Sequence, residues 1–241
     1  MAEYQKIQTL FKRDEKNIII PSIFTLPEFE YLKDCKWEAT EKIDGTNMRV
    51  ELGLGYGGYE MDFKGRTDKA DIPKHLLEKM HSLFDEEKLI DYFYSEDKDE
   101  IPNITLYGEG YGMKIQKGGN YIKDGVDFIL FDVRIGNWWL SRDACEKIVT
   151  DLNLKIVPLM GYMTIQEAID FVKKGFKSTI AENKDYDAEG LVLKTPYGLR
   201  LRNGERLITK IKTCDFQKYQ KAYGDGLVEQ KINPKYNENY N

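Results

Sequence analysis

Cysteine and histidine are scarce in this chain, and their scarcity removes whole classes of chemistry. Among 241 residues there are three cysteines and two histidines. Cys35, Cys145 and Cys214 are odd in number, far apart and form no C-x-x-C pair, so neither a disulfide framework nor a zinc site is expected. A reducing, cytoplasmic compartment follows as the expectation. His75 and His81 stand six apart, which is not a chelating spacing on a helix, and packing or surface roles are expected for them. No apolar run approaches the roughly 20 residues of a membrane helix, so no membrane partner is expected. The opening MAEYQKIQTLFKRDEKN lacks the basic-then-apolar order of a secretory signal. With no internal repeat and no clear linker, a single domain over 1–241 is expected.

Charge is plentiful but unevenly spread. The net charge of -5 argues against a protein whose main task is to coat nucleic acid. Yet from Lys194 to Lys212 the chain carries Lys194, Arg200, Arg202, Arg206, Lys210 and Lys212 against Glu205 alone, six minus one, or +5. The stretch 91–100 leans acidic. A basic strip on an acidic protein suits an enzyme that grips phosphates at one place; an ordinary solvated face is the alternative.

Hydrophobic periodicity sketches the elements. WEATEK (37–42) and NMRVEL (47–52) read as strands around an Asp44-Gly45 turn, a hairpin-type signal. Another strand is expected near 59–65, after the Gly-rich tip GLGYGG (53–58). That tip matches G-x-G-x-x-G literally, but a strand pattern follows it, so dinucleotide binding is not expected. Residues 73–93 have helical spacing with Pro73 near the first turn. An acidic loop (95–103), a strand (104–112), a Gly-rich loop (113–125) and a buried strand (126–135) follow. Helices are expected over 141–153 and 164–175, the second with a capping box from Thr164 to Glu167 and a stop at Gly175. Strands are expected over 189–195, 197–203 and 206–212, then a frayed tail. The Trp138-Trp139 pair suits core packing or base stacking.

Several short stations carry potential chemistry. In EKIDGTN (41–47) Lys42 lies two residues before the Asp-Gly turn, at a strand end. A nucleophilic lysine must be deprotonated, and nearby cations favour that. GRTD supplies Arg66, LYGEG supplies Glu109, FILFDV supplies Phe131 and Asp132, EGLVLK supplies Glu189, and TKIK supplies Lys210 and Lys212. The two lysines alternate along one strand and face the same way. Taken singly, each station also reads as a solvated turn, a loop cation, plain core or the wet face of a strand.

Their order separates the readings. Lys-x-Asp-Gly, Glu-Gly, Phe-Asp, Glu-Gly-x-Val-x-Lys and Lys-x-Lys, over about residues 37–213, resemble the covalent nucleotidyltransferase superfamily of DNA ligases, RNA ligases and capping guanylyltransferases. Lys-x-Asp-Gly-Thr-Asn resembles the nick-joining and RNA-editing branch of ATP-dependent RNA ligases; DNA ligases usually carry Arg where this chain has Asn47. The resemblance implies an α+β nucleotidyltransferase fold, antiparallel sheets flanked by helices with an ATP-grasp-like cleft. Only 29 residues follow Lys212, too few for an OB-fold or a typical helical domain, so residues 213–241 are expected to be a short extension of a minimal, single-domain ligase.

The resemblance also implies roles. Lys42 would take AMP from ATP as a phosphoramidate. Glu41 and the segment before it would meet the adenine edge, and Phe131 would stack on the ring. Glu109 would accept a hydrogen bond from a ribose hydroxyl. Arg66 would contact sugar or RNA phosphate, and Asn47 the leaving phosphates or the RNA end. Glu189, with Asp132 as a helper, would hold Mg2+ or Mn2+. Lys210 and Lys212 would neutralise the α-phosphate. The implied partner is RNA with 5′-phosphate and 3′-hydroxyl ends, nicked or splinted, met by a monomer. The alternatives are a DNA ligase or capping-type enzyme on the same core, or a nucleotide- or RNA-binding module without catalysis.

Overall fold

The computed structural model describes residues 3–56, 58–94, 102–116, 121–224 and 230–236. In chain order the elements are β1 (Gln8–Thr9), β2 (Phe11–Arg13), β3 (Ile19–Phe24), α1 (Pro27–Tyr31), β4 (Trp37–Lys42), β5 (Thr46–Leu54), β6 (Tyr59–Gly65), α2 (Lys74–Leu83), α3 (Glu86–Phe93), β7 (Ile104–Gly112), β8 (Val126–Ile135), β9 (Trp138–Trp139), α4 (Arg142–Asp151), β10 (Leu159–Met163), α5 (Ile165–Lys174), β11 (Gly190–Lys194), β12 (Ile208–Lys212) and α6 (Thr213–Tyr223). This is the α+β class expected, with antiparallel sheets and flanking helices. By their contacts these elements form two compact units of interleaved segments. The first runs through Met1–Gln5, Ile43–Val157 and Ile180–Tyr186, the second through Lys6–Lys42, Pro158–Thr179 and Asp187–Asn241.

The first unit is built on the antiparallel sheet β6-β5-β7-β8-β9. Alternation along β5 sends Met48, Val50 and Leu52 to one face, where they are fully buried with Leu76 and Met80 of α2 and with Cys145, Ile148 and Val149 of α4. Each such side chain contributes about 1.5–3 kcal/mol by leaving water. The other face of β5 carries Asn47, Arg49 and Glu51. The helix expected over 73–93 is two helices. Asp85 interrupts it with extended backbone and caps α3, accepting a hydrogen bond from the Lys88 backbone N–H at 3.0 Å.

The second unit is built on the sheet β1-β12-β11-β4-β10, parallel only between β1 and β12, beside the β2-β3 pair. Trp37, Ala39, Leu191, Leu193 and Ile211 line one face and pack on Ile165, Ala168 and Val172 of α5. Two strand expectations change here. No hairpin joins β4 and β5: β4 pairs with β10 and β11, and β5 with β6 and β7. Residues 197–203 are no strand of the sheet either, because β11 pairs directly with β12. The segment between them turns on itself, with one isolated bridge from Arg200 to Arg206. It has too little apolar surface to bury as a central strand. Helix α6 was not foreseen; its Asp215 is buried against Arg13 at 2.7 Å.

Residues 95–101, 117–120 and 237–241, parts of the expected acidic loop, Gly-rich loop and tail, lie outside the described residues. No helix among those described is long and apolar enough to cross a membrane.

Candidate functional site

Three neighbouring strands of the second unit place the reactive candidates in one row. Gly190 on β11 is the register partner of Lys42 on β4 and of Lys212 on β12. Lys42 and Lys212 therefore flank one position, and Lys210, two residues before Lys212, lies on the same face of the sheet. Strict alternation would send Glu189 to the opposite face. Gly190 breaks the alternation with a φ of 151°, a region that side-chain-bearing residues avoid. The Glu189 carboxylate then meets both ammoniums, accepting from Lys42 Nζ at 2.5 Å through Oε2 and from Lys212 Nζ at 2.5 Å through Oε1. All three side chains are largely withdrawn from solvent. Burial opposes the charge of Lys212, but the hydrogen bond and charge of Glu189 outweigh it and hold the ammonium above the usual lysine range.

Glu41 faces away from this row. Its carboxylate is buried and accepts from Ser178 Oγ at 2.5 Å, from the Thr179 backbone N–H at 3.0 Å and from Thr179 Oγ1 at 2.7 Å. A carboxylate so satisfied braces the end of β4 directly beside Lys42. Ser178 and Thr179 were not singled out from the sequence, and a separation of 137 residues leaves no local signal that would have found them.

The first unit carries the other candidates on its sheet. Asn47 on β5 is the register partner of Glu109 on β7. The Asn47 side-chain oxygen is buried and has no hydrogen-bond partner among the described residues, which is uncommon for a buried polar atom. Gly45 sets the local spacing. A Cβ there would come within 2.3 Å of the Gly110 carbonyl oxygen and 2.7 Å of Glu109 Cγ. The glycine of the Asp-Gly pair thus serves close approach to β7. The Asp44 backbone N–H donates to Tyr121 Oη at 3.0 Å.

Phe131 and Asp132 follow one another on β8. Tyr4 touches both: its ring meets Phe131 edge-on at 4.9 Å, and its hydroxyl donates to Asp132 Oδ2 at 2.5 Å. Arg66 is exposed in the turn after β6. That turn is held from beneath by Arg49, whose side chain is fully buried. Arg49 Nε donates to the Gly65 carbonyl at 3.0 Å, Nη2 to Asp68 at 2.6 Å and Nη1 to Glu51 at 2.8 Å. The Arg49 hydrogen bond holds the Asp68 carboxyl below the usual range. Tyr4, Tyr121 and Arg49 were also missed from the sequence, since an aromatic or a strand arginine is unmarked until its partner is in place.

The structure thus gathers Lys42, Glu189, Lys210 and Lys212 in the second unit, and Asn47, Arg66, Glu109, Phe131 and Asp132 on the sheet of the first and its adjoining turn. A divalent cation fits Glu189 by donor chemistry, a hard carboxylate oxygen. Among the described residues no group of three or more His, Cys, Asp or Glu side chains is arranged to hold a metal ion.

Comparison with known proteins gives a family and a fold. A family model described as RNA ligase matches residues 36–212. An arginine-to-alanine form of Naegleria gruberi RNA ligase, solved with ATP and Mn, superposes with a TM-score of 0.60 at 20% identity, covering 94% of this chain and 59% of that one. A lysine-to-alanine form with ATP and Mn gives 0.59 at 20% identity, over 92% and 61%. A lysine-to-methionine form with AMP and Mn gives 0.56 at 20% identity, over 94% and 61%. The likeness is one of fold, and the present chain spans about three fifths of the length of these solved chains.

Proposed function

Because the chain belongs to the RNA ligase family, we propose that it is an ATP-dependent RNA ligase that carries AMP on Lys42. The observation that supports this most directly is the row in which Lys42 and Lys212 share the carboxylate of Glu189, 2.5 Å from each. A lysine held at a strand end, beside a second cation and a single carboxylate, is arranged for attack on a phosphate.

Three in-line displacements at phosphorus make up the reaction. In the first, the Lys42 Nζ lone pair bonds to the α-phosphorus of ATP. The bond from that phosphorus to its bridging oxygen breaks, pyrophosphate leaves, and the amine sheds a proton. In the second, a 5′-phosphate oxygen of the RNA attacks the same phosphorus, the P–N bond breaks, and the leaving nitrogen takes up a proton, returning Lys42 as an amine. In the third, a 3′-hydroxyl attacks the 5′-phosphorus, loses its proton, and AMP departs. Positioning and charge neutralisation dominate such transfers.

This chain's residues divide that work. Lys210 and Lys212 hold positive charge where negative charge shifts at the α-phosphate. Glu189 keeps Lys42 oriented through the ion pair between its Oε2 and Lys42 Nζ. Glu189 would hold Mg2+ or Mn2+, which would supply charge neutralisation at the phosphates. Phe131 would pack on the adenine, Glu109 accept from a ribose hydroxyl, and Arg66 meet a phosphate. Asn47 has a buried oxygen in want of a donor, as a ribose hydroxyl or an RNA 3′-hydroxyl provides. Tyr4 and Arg49 are positioning residues, acting through Asp132 and the Arg66 turn.

The test is intact mass after incubation with ATP and Mg2+. The wild-type protein should gain one AMP and Lys42→Ala none. An AMP adduct on the Lys42→Ala protein would end the assignment, and labelling by GTP as strong as by ATP would end the choice of ATP.

A further inference from the structure

We propose that the segment between β11 and β12, residues 195–207, is a docking surface for the RNA backbone, several nucleotides away from the reacting ends. The proposal rests on reading the Lys42–Glu189–Lys212 row as the reaction site. Along the β11-β12 ladder, Gly190 pairs with Lys212 at the reactive end, and Lys194 pairs with Ile208 at the other. Four strand steps separate the two ends, about 14 Å. At roughly 3.4 Å per nucleotide, the value for one strand of duplex DNA, the segment falls about four nucleotides from the join, and somewhat more on the shorter rise of an RNA duplex.

What the segment presents there is unusual for a mere connection. Tyr197 is 91% exposed and Leu199 45% exposed, beside the exposed Arg200 and Arg202. An aromatic ring left in water next to arginines offers a flat face for a ribose and cations for the phosphates beside it. The display is held in shape. The Leu199 N–H donates to Thr195 Oγ1 at 2.9 Å, the Leu207 N–H to the Leu199 carbonyl at 2.7 Å, and the Leu201 N–H to the Glu205 carbonyl at 2.8 Å. Glu205, the acidic residue of the segment, is engaged by Asn203, whose Nδ2 donates to its carboxylate at 3.0 Å. The carboxylate is therefore turned to Asn203 while two arginines face solvent. A solvated face would need neither the bracing nor the bare tyrosine. The net charge of the segment, three arginines less one glutamate, or +2, favours a polyanion over an acidic-patch-seeking or apolar protein partner.

Binding of fluorescent nicked RNA duplexes, followed by anisotropy over a salt series, tests this. The paired substitution Arg200→Ala with Arg202→Ala should weaken binding roughly tenfold and flatten the log–log salt slope by about 1.5. The KM for RNA should rise accordingly, with AMP labelling of Lys42 unchanged. Arg200→Lys with Arg202→Lys should restore the slope, because charge and not shape is being read. Tyr197→Ala should weaken binding, and Tyr197→Phe should weaken it less. Shortening one duplex arm to about three nucleotides should erase the difference between wild type and variants, since that arm no longer reaches the segment. Unchanged binding in the alanine variants, failure of the lysine pair to rescue, or a loss indifferent to the length of both arms would overturn the proposal. If the wild-type protein takes no AMP, the ligase reading falls, while the anisotropy measurement still decides whether this surface binds RNA.

Discussion

A Cβ at position 190 would come within 2.0 Å of the Ile211 carbonyl oxygen and 2.9 Å of the Lys212 Cα, both backbone atoms that cannot rotate away. The φ of 151° adds strain for any residue with a side chain. Gly190→Ala should therefore cost about 2–5 kcal/mol in a denaturant titration. Lys42 and Lys212 flank this position, so AMP labelling should fall further than the lost stability explains when assayed well below the melting temperature. Normal labelling in a folded Gly190→Ala protein would show that the shared carboxylate does not govern Lys42. At this scale the sequence was most informative. Lys42, Glu189, Lys210 and Lys212 were singled out by motif order, and the structure sets them at neighbouring positions on three strands. Their common carboxylate was not legible, because the register that joins residues 42, 190 and 212 is set by strand pairing across the sheet.

Among the elements, strands such as β7 and β8 were legible over the expected 104–112 and 126–135, and so were helices with their own caps. Thr164 Oγ1 accepts from the Glu167 backbone N–H at 3.2 Å, and the Glu167 carboxylate accepts from the Thr164 backbone N–H at 2.7 Å, as the Thr-x-x-Glu spacing required. Lys36, from outside the helix, adds a 2.6 Å ion pair to Glu167. That hydrogen bond, then the Thr164 backbone N–H, brings the Glu167 carboxyl down to about 2. A carboxylate depressed in the folded state contributes stability above its ordinary pKa, about 4.3, and loses it as pH falls toward the folded value. A carboxyl-carbon NMR titration should place the Glu167 midpoint near 2, and Lys36→Met should raise it without restoring the ordinary value, because the cap remains. No upward movement in Lys36→Met would assign the shift to the cap alone. Helix α6 shows the opposite case. It has no side-chain cap, and what secures it is long-range: Asp215 on Arg13 at 2.7 Å, a pair with both side chains about nine-tenths buried. Asp215→Ala leaves the guanidinium without its carboxylate and should cost about 3–5 kcal/mol, read as a lowered denaturation midpoint. A change under about 1 kcal/mol would mean that water reaches Arg13.

On the scale of the whole molecule, the two compact units interleave along the chain, so neither corresponds to one continuous stretch. β4, which ends in Lys42, is paired on one side with residues 159–163 and on the other with residues 190–194. Substrate discrimination belongs to this scale too. Under the proposed function, the ribose 2′-hydroxyl is the group by which protein tells RNA from DNA. Nicks with ribose in the last two 3′-side nucleotides should seal faster than all-deoxy acceptors, and joining should weaken steeply with salt while AMP loading of Lys42 does not. Equal sealing rates on matched ribo and deoxy nicks would move the reading to a DNA ligase.

The sequence by itself determined the chemistry-bearing residue types, their order, the class of fold and the helices that carry their own start and stop signals. These depend on side-chain identity and on interactions within a few residues. Only the tertiary structure decided that Asp44-Gly45 opens no hairpin, that residues 197–203 form an exposed turn, and that Glu41 is tied to Ser178 and Thr179. It alone brought one carboxylate between Lys42 and Lys212 and left the Asn47 oxygen buried without a partner among the described residues. Each of these rests on pairing between segments far apart in the chain. A dipeptide or a strand pattern is compatible with several such pairings until burial of the core selects one.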